Sequence, residues 1–365
     1  MRYIEFKPIW FDSLGAKSAC TLVRTPDISI LIDPGVAVMQ PSFPAPEKMK
    51  VEWARRARRM IKRASKEAEV IVISHYHYDH FTDFDERIYQ GKLILAKDPN
   101  EYINDSQRRR AEEFYDHLST KFGGKKLEEL MKPRKEKTYP DPMENLPLAK
   151  SKRYGEYEKR KKELLKLGEK WFRKRVEKWN KMRLIPEMKF KRCEVRFADG
   201  KSFRFGGTEI RFTRPQFHGI EYARVGWVVS TTIKYKDEKL IHTSDLEGPV
   251  IEDQAQWIMD ENPDILIVDG PSTYLIPYML NLINLRRAVE NMCRIVESVD
   301  AELIIYDHHL PREPRYRERV REVYEAAEKK GKKVLTAAEY MHRKPAVLLY
   351  TKSSTNKNLE KRKIM

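Results

Sequence analysis

The chain has 365 residues, of which 41% are hydrophobic, and its 72 lysines and arginines outnumber its 55 aspartates and glutamates to give a net charge of +17. This length allows two domains with a sizeable core. Three cysteines without close spacing exclude a disulfide framework and a cysteine-only zinc site. No apolar run approaches about 18 residues, and the N-terminus lacks the apolar core of a signal peptide. We therefore expect a cytoplasmic protein in a reducing compartment, and the 35% of charged residues with only six glutamines indicates a thermophilic source.

Short strands, turns and one helix are predicted for the first quarter of the chain. The apolar run over residues 28–32 has the form of a strand and ends at Asp33, where a Pro-Gly pair follows. Helical periodicity predicts a helix over residues 48–67. Two further apolar runs, 70–73 and 91–96, predict buried strands.

The segment directly after the strand at 70–73 carries the strongest functional signal. His75, His77, Asp79 and His80 form a His-x-His-x-Asp-His pattern in a chain with only nine histidines. Neutral imidazoles with a carboxylate suit borderline metals such as zinc. On an extended turn His75 and His77 point the same way, while Asp79 and His80 face a second position. One loop would then hold half the ligands of two metals; the alternative is a solvated histidine-rich turn.

Residues from about 97 to 200 are predicted to form a mainly helical segment. One helix is expected over residues 106–118, a loop or linker over 123–150, and a long amphipathic helix over 154–184. The apolar side chains of that long helix are expected to pack on the protein core. They are Leu164, Leu165, Trp171, Phe172, Val176, Trp179 and Met182.

Strands alternate with helices in the rest of the chain, which indicates an α/β protein. The predicted strands cover about 208–214, 225–236, 239–243, 264–268 and 302–306, and the predicted helices cover about 279–298 and 314–330.

Three further candidate metal ligands each follow a predicted strand. They are His218, Asp245 and His308. His309 is adjacent to His308, and only one of the two is expected to be a ligand. His242 and Asp269 also end apolar runs, but a structural role is expected for both.

The order of these residues along the chain resembles the metallo-β-lactamase superfamily: a His-x-His-x-Asp-His loop is followed by a histidine, an aspartate and a last histidine. The resemblance covers roughly residues 1–96 and 201–350 and is nearest to an archaeal branch of predicted metal-dependent hydrolases. It implies a four-layer αββα sandwich with a core formed by 1–96 and 201–350, a basic helical insertion at 97–200 and a basic tail at 351–365.

The resemblance also implies roles for the candidate residues. One metal would be held by His75, His77 and His218, the other by Asp79, His80 and His308, with Asp245 as a bridge. Asp33 would orient a histidine of the loop through a hydrogen bond. The context His-His-Leu-Pro-Arg is similar to the last histidine step of ribonuclease Z-like members, which favours His308 over His309 as the ligand.

Such a site would use a hydroxide shared by two metals roughly 3.5–4 Å apart, with zinc expected and manganese or iron as alternatives. Asp79 would orient the nucleophile, and the leaving group would need the second metal or an acid, for which His309 and His242 are candidates. Three functions remain open. A phosphodiesterase or nuclease is favoured by the basic insertion; a small-molecule ester, thioester or lactone hydrolase would use the insertion as a lid; a binding protein would retain the metal without catalysis.

Positive charge is concentrated in two parts of the chain. Residues 151–200 contain 18 basic and 8 acidic residues, a net charge of +10, and residues 352–365 contain five basic residues and one acidic residue, a net charge of +4. Such segments contact nucleic acids or other polyanions, or else form a solvated helix face. No membrane partner is expected.

Overall fold

A computed structural model describes residues 3–350, so the predicted basic tail at 351–365 lies outside the described residues. The strands are β1 (Glu5–Phe11), β2 (Ala19–Arg24), β3 (Ser29–Ile32), β4 (Val70–Ile73), β5 (Lys92–Ala96), β6 (Met188–Phe190), β7 (Cys193–Phe197), β8 (Ser202–Phe205), β9 (Thr208–Phe212), β10 (Gln216–Phe217), β11 (Trp227–Val228), β12 (Thr231–Tyr235), β13 (Glu238–His242), β14 (Ile265–Asp269), β15 (Leu303–Asp307) and β16 (Lys333–Leu335).

The α-helices lie mainly outside the strands. They are α1 (Glu47–Glu67), α2 (Glu86–Tyr89), α3 (Asp105–Gly123), α4 (Leu127–Leu130), α5 (Pro147–Ser151), α6 (Glu158–Lys181), α7 (Glu252–Glu261), α8 (Leu282–Ser298), α9 (Tyr316–Arg319), α10 (Arg321–Lys329) and α11 (Ala337–Tyr340). None of the helices in residues 3–350 is long and apolar enough to cross a membrane.

Two large sheets form the centre of the molecule. The first has the order β1-β2-β3-β4-β5-β7-β6 and the second the order β16-β15-β14-β13-β12-β9-β8. Strands β3, β4, β5 and β7 are parallel in the first sheet, as are β13, β14, β15 and β16 in the second. Parallel strands are buried on both faces, which is why these segments are continuous apolar runs.

Three hydrophobic clusters define four layers. One cluster contains alternate residues of both sheets, such as Val72 of β4 and Ile267 of β14, and so lies between the sheets. The second packs helices α1, α3 and α6 on the outer face of the first sheet. The third packs helices α7, α8 and α10 on the second sheet. This arrangement confirms the predicted αββα sandwich.

The segment predicted as an insertion is mainly helical, but its last part joins the sheet. Strands β6 and β7 extend the first sheet beside β5, so the predicted boundary at residue 200 falls after two strands of the first sheet. The long helix α6 is shorter than the predicted 154–184. Phe172 and Trp179 are buried in the core as expected, whereas Leu164 is exposed.

Two other predicted elements are divided in the structure. The strand predicted over 225–236 becomes β11 and β12, because Val229 and Ser230 leave the strand and bond elsewhere: Val229 N donates to Ser74 O, and Ser230 N to Thr213 Oγ1. The helix predicted over 314–330 becomes α9 and α10, separated at Val320.

A buried ion network fastens the helical segment to the second sheet's helices. The Arg287 guanidinium on α8 donates to Glu221 at 2.6 Å and to Glu252 at 2.7 Å, and Lys161 of α6 donates to Glu221 at 2.6 Å. Burial alone would raise the pKa of Glu221, but Arg287 and Lys161 lower it to about 2. Glu221 lies three residues after His218, so the network also holds the loop that carries this candidate ligand.

Replacing Arg287 with methionine should strongly destabilise the fold. Two carboxylates would remain buried without their main cation, and breaking a buried ion pair costs about 3–5 kcal/mol. The measurement is the urea midpoint of unfolding at neutral pH.

The neighbouring Arg286 provides the matched control, because its side chain is 82% exposed and pairs only with Glu290 in the described structure. R286M should change stability by less than about 1 kcal/mol. Equal effects of R286M and R287M would contradict the assigned role of the network. The loss of stability in R287M relative to the wild type should also become smaller as the pH falls from 4.5 towards about 2. Glu221, whose pKa is lowered to about 2, becomes protonated over that range, and its charge then no longer stabilises the wild-type fold.

Candidate metal centre

The polar residues that follow the strands meet at one edge of the sandwich. His75 follows β4, His218 follows β10, Asp245 follows β13 and His308 follows β15. The carboxyl ends of parallel strands share one edge of each sheet, so residues far apart in the sequence converge there. The structure brings together all seven predicted ligands.

The first group of potential ligand atoms belongs to His75, His77, His218 and Asp245, and these atoms lie within 4.8 Å of one another. His75 Nε2 is 3.0 Å from His77 Nδ1, and His218 Nε2 is 3.1 Å from Asp245 Oδ2. His75 Nε2 is 3.5 Å from the same carboxylate oxygen.

The second group belongs to Asp79, His80 and His308. His80 Nε2 is 3.1 Å from His308 Nε2, and His308 Nε2 is 3.8 Å from Asp79 Oδ2. Asp245 Oδ1 lies 3.1 Å from His80 Nε2, so the two oxygens of Asp245 face the two groups. This is the bridging position predicted for Asp245.

Buried carboxylates orient the histidines from behind. Asp33 Oδ2 lies 2.8 Å from His80 Nδ1 and accepts a hydrogen bond of 2.7 Å from Ser74, the kind of contact expected from the sequence for Asp33. Asp12 Oδ1 lies 3.0 Å from His308 Nδ1. With the Nδ1 atoms of His80 and His308 engaged in this way, each Nε2 is directed to the centre.

His309 lies at the margin of the same centre. Its Nδ1 is 3.3 Å from Asp269 Oδ2, and its Nε2 is 3.9 Å from Asp245 Oδ2. Potential ligand atoms of His309, His308 and Asp245 also fall within 4.8 Å of one another. The geometry therefore brings both adjacent histidines to the centre, and only His308 is also grouped with Asp79 and His80.

Several residues of this edge have left-handed backbone conformations. The φ angles are 49° at Asp33, 56° at Ser244, 29° at His308 and 51° at His309. Such angles are uncommon for residues other than glycine and occur where the surroundings enforce them, often at functional sites.

The protonation of the histidines follows their neighbours. Burial lowers the pKa of His77 to about 3, and it also holds the pKa of His75 well below its ordinary value. Burial opposes protonation of His218 and His308 as well, but carboxylates raise the pKa of each to about 10. These carboxylates are Glu247 and Asp245 beside His218, and Asp12 and Asp245 beside His308.

These residues fit a pair of divalent cations. Ring nitrogens of His75 and His77 lie 3.0 Å apart, and those of His80 and His308 lie 3.1 Å apart. In the described structure, Asp245 Oδ1 and the two ring nitrogens of His218 have no hydrogen bond of suitable geometry. The His218 nitrogens and Asp245 Oδ1 are thus buried without a hydrogen-bond partner, and neutral imidazoles at the other positions would direct further lone pairs to the same place. Mixed nitrogen and oxygen ligands are those of zinc and other transition metals.

Some residues of the centre were missed by the sequence analysis. Arg312 is buried, donates to Asp12 and to Tyr274, and has Nη2 3.5 Å from Asp79 Oδ2. Gln107 Nε2 lies 3.5 Å from His77 Nε2. Asp12 follows the apolar strand β1 as Asp33 follows β3, so the same pattern could have identified it. His242 contacts the carbonyl of Ala19 and belongs to none of the ligand groups.

The chain is similar to known proteins in sequence and in structure. A model of the metallo-beta-lactamase superfamily matches residues 15–118. The chain is 31% identical over 355 residues to UPF0282 protein MK0213 of Methanopyrus kandleri, covering 93% of this chain and 95% of that protein. It is 33% identical over 325 residues to UPF0282 protein MJ1629 of Methanocaldococcus jannaschii, covering 86% of each. Among solved structures, the metallo-beta-lactamase fold protein YhfI from Bacillus subtilis has 12% identity and a TM-score of 0.39, covering 91% of this chain and 95% of that one.

Alanine at His77 or Asp245 should lower metal content while the fold is retained. His77 belongs to one ligand group, whereas Asp245 contacts both, so D245A should lose more metal than H77A. Metal analysis after dialysis, with circular dichroism to monitor folding, provides the measurement. H117A is the control, because His117 lies on α3 outside the ligand groups. Unchanged metal content in both variants would contradict the assignment.

Alanine at His308 should lower metal content more than alanine at His309. His308 Nε2 faces His80 Nε2 at 3.1 Å and is held from behind by Asp12, whereas His309 Nε2 lies 3.9 Å from Asp245 Oδ2. Metal titration of the two variants tests this order. A greater loss in H309A would reverse the assignment.

Proposed function

Since the chain belongs to the archaeal UPF0282 family and has the metallo-β-lactamase fold, we propose that it is a metal-dependent hydrolase that cleaves phosphodiesters. The observation that carries this proposal is the convergence of the seven ligand residues in two groups, with the two oxygens of Asp245 each 3.1 Å from a histidine of a different group. Two divalent cations, zinc by the ligand types, would supply Lewis acidity and a water of lowered pKa when bound.

The chain's own residues would orient the reactants. The Asp79 side chain is 15% exposed, which leaves an oxygen able to accept a hydrogen bond from an attacking water. Burial alone would raise the pKa of Asp79, but His80, His308 and Arg312 lower it, so this carboxylate stays ionised. Arg312 is fixed by Asp12 and Tyr274 and can hold an anionic group beside Asp79.

His309 is the best candidate to protonate the leaving group. Asp269 accepts backbone hydrogen bonds from Leu246 at 3.0 Å and Glu247 at 2.7 Å, which fixes its carboxyl group beside His309 Nδ1. His309 Nε2 then faces the metal centre and would donate to the departing oxygen when the ring is protonated, a state that burial and Arg312 disfavour by holding the pKa of His309 well below its ordinary value. General acid catalysis of this kind contributes about 10²–10⁴-fold.

A substrate screen separates this function from its alternatives. Protein loaded with zinc or manganese should hydrolyse bis-p-nitrophenyl phosphate and lose this activity in D79N. The corresponding test of His309 is H309N, which should lower turnover with little change in KM. Hydrolysis of lactones or thioesters alone would favour the small-molecule enzyme with the helical segment as a lid. Full metal loading without hydrolysis of any class would favour a binding protein.

The exposed face of α6 supports a polyanionic substrate. Trp171 stacks on Trp227 at 5.4 Å, and the His218 amide donates to the carbonyl of Gly226, so α6 packs beside the loop that carries His218. Trp179 is fully buried, whereas a set of basic side chains faces solvent. They are Arg173, Lys174, Lys178 and Lys181.

Changing these four residues to glutamine should weaken binding of RNA or DNA and lower the salt dependence of binding, because each phosphate contact releases counterions. Metal content should not change. The matched control replaces four exposed basic residues in and shortly after α10, Arg321, Lys329, Lys330 and Lys333. Equal losses in both variants, or no nucleic-acid binding at low ionic strength, would reject this interface.

A further inference from the structure

We propose that the cavity beside the metal-binding loop binds the apolar group of a small anionic substrate, with Arg55 and Arg58 at its rim contacting the negative charge. This inference rests on the proposed hydrolase function and specifies its substrate class. It concerns one cavity of about 420 Å³, which is within the range of small-molecule sites.

Three segments form the cavity walls. The loop after β3 contributes Val36, Ala37 and Val38, helix α1 contributes Val51, Ala54, Arg55 and Arg58, and the metal-binding loop contributes Tyr78 and Asp83. The floor is therefore mainly apolar, and the charged groups come from the helix and the end of the loop.

Tyr78 and the loop after β3 place the cavity beside the metal-binding loop. Tyr78 lies between His77 and Asp79 in the chain, and Gly35, next to Val36, packs so closely on the backbone of Asp79, His80 and Phe81 that a Cβ would not fit. The ring is held by stacking on Phe81 at 5.6 Å and by the Arg110 guanidinium 5.1 Å from its centre. Tyr78 nevertheless remains 39% exposed, and Val38 across the cavity is 38% exposed. A rigid aromatic ring and an open aliphatic side chain suit an aryl or acyl group.

The charges around the cavity favour an anion. Arg55 forms no ion pair within residues 3–350, and Arg58 reaches Asp83 only at 3.9 Å with both side chains more than half exposed. Exposed pairs of this kind contribute little, so both guanidiniums can be recruited by a ligand. Towards the metal centre, Arg312 Nη2 lies 3.5 Å from Asp79 Oδ2. The cavity thus has two guanidiniums at its rim, and a third lies beside Asp79 of the adjoining loop.

Two fluorescent probes test the apolar and the anionic parts separately. Anilinonaphthalene sulfonate is an aryl anion, and N-phenylnaphthylamine is a neutral arene of similar shape. The variants are A54W, which fills the cavity, V51Q, which makes its floor polar, and R55Q/R58Q, which removes the charge. R160Q/R204Q removes the same charge from exposed arginines outside the cavity.

Sulfonate affinity should fall about tenfold or more in R55Q/R58Q, whereas the affinity for the neutral arene should change less than about twofold. Both probes should be weakened by A54W and V51Q, and neither by R160Q/R204Q. Unchanged binding in A54W and V51Q would overturn the site, and equal effects of the two charge variants would overturn the anionic class.

Metal content and bis-p-nitrophenyl phosphate hydrolysis of the wild-type protein keep this test separate from the proposed function. Correct probe responses with an inactive, metal-loaded protein would reject the hydrolase and retain the site. If the protein is active but both probes bind the cavity variants as tightly as the wild type, the hydrolase is retained and the cavity site is rejected.

Discussion

Burying several imidazoles and carboxylates at one point is the constraint on which the rest of the structure depends. Groups of this kind are expensive to remove from water unless opposite charges and hydrogen bonds compensate them. Here Asp245 lies between two sets of histidines, and Asp12, Asp33 and Asp269 hold histidines from the outside. Each of these carboxylates is placed by a strand end, so the two sheets must pack in one arrangement for the compensation to exist.

The parts of this centre that are local in sequence were the most predictable. The loop from His75 to His80 is a single motif after an apolar strand, and strands buried on both faces are visible as continuous apolar runs. Asp12 follows an apolar strand as Asp33 does and could have been identified in the same way, whereas the role of Arg312 arises from its contact with Asp12, 300 positions away in the chain. The approach of both His308 and His309 to the centre depends on two consecutive left-handed residues, which no periodic pattern predicts.

Secondary structure was predicted well where burial is periodic and less well where tertiary bonds interrupt it. The expected strand over 225–236 breaks because Val229 and Ser230 bond to Ser74 and Thr213 instead of continuing in one strand. Leu164 fits the apolar stripe of α6 by spacing, yet Leu164 and Leu167 are exposed, whereas Leu165 of the same turn packs against the core. The charge of the helix likewise has two uses: Lys161 is part of a buried network, whereas Arg173 is 74% exposed.

The division of the ligands between the two sheets has a thermodynamic consequence. His80 belongs to the first sheet's edge, and His308, whose ring nitrogen faces it, lies 228 positions later at the edge of the second. A cation shared by such residues acts as a cross-link that closes a very long loop, and the entropy of loop closure grows only slowly with length. Because the unfolded chain cannot gather these ligands, every factor of ten in free cation concentration above the dissociation constant adds about 1.4 kcal/mol to the folded state. A metal bound at this centre would therefore couple the unfolding temperature of the protein to the free concentration of that metal.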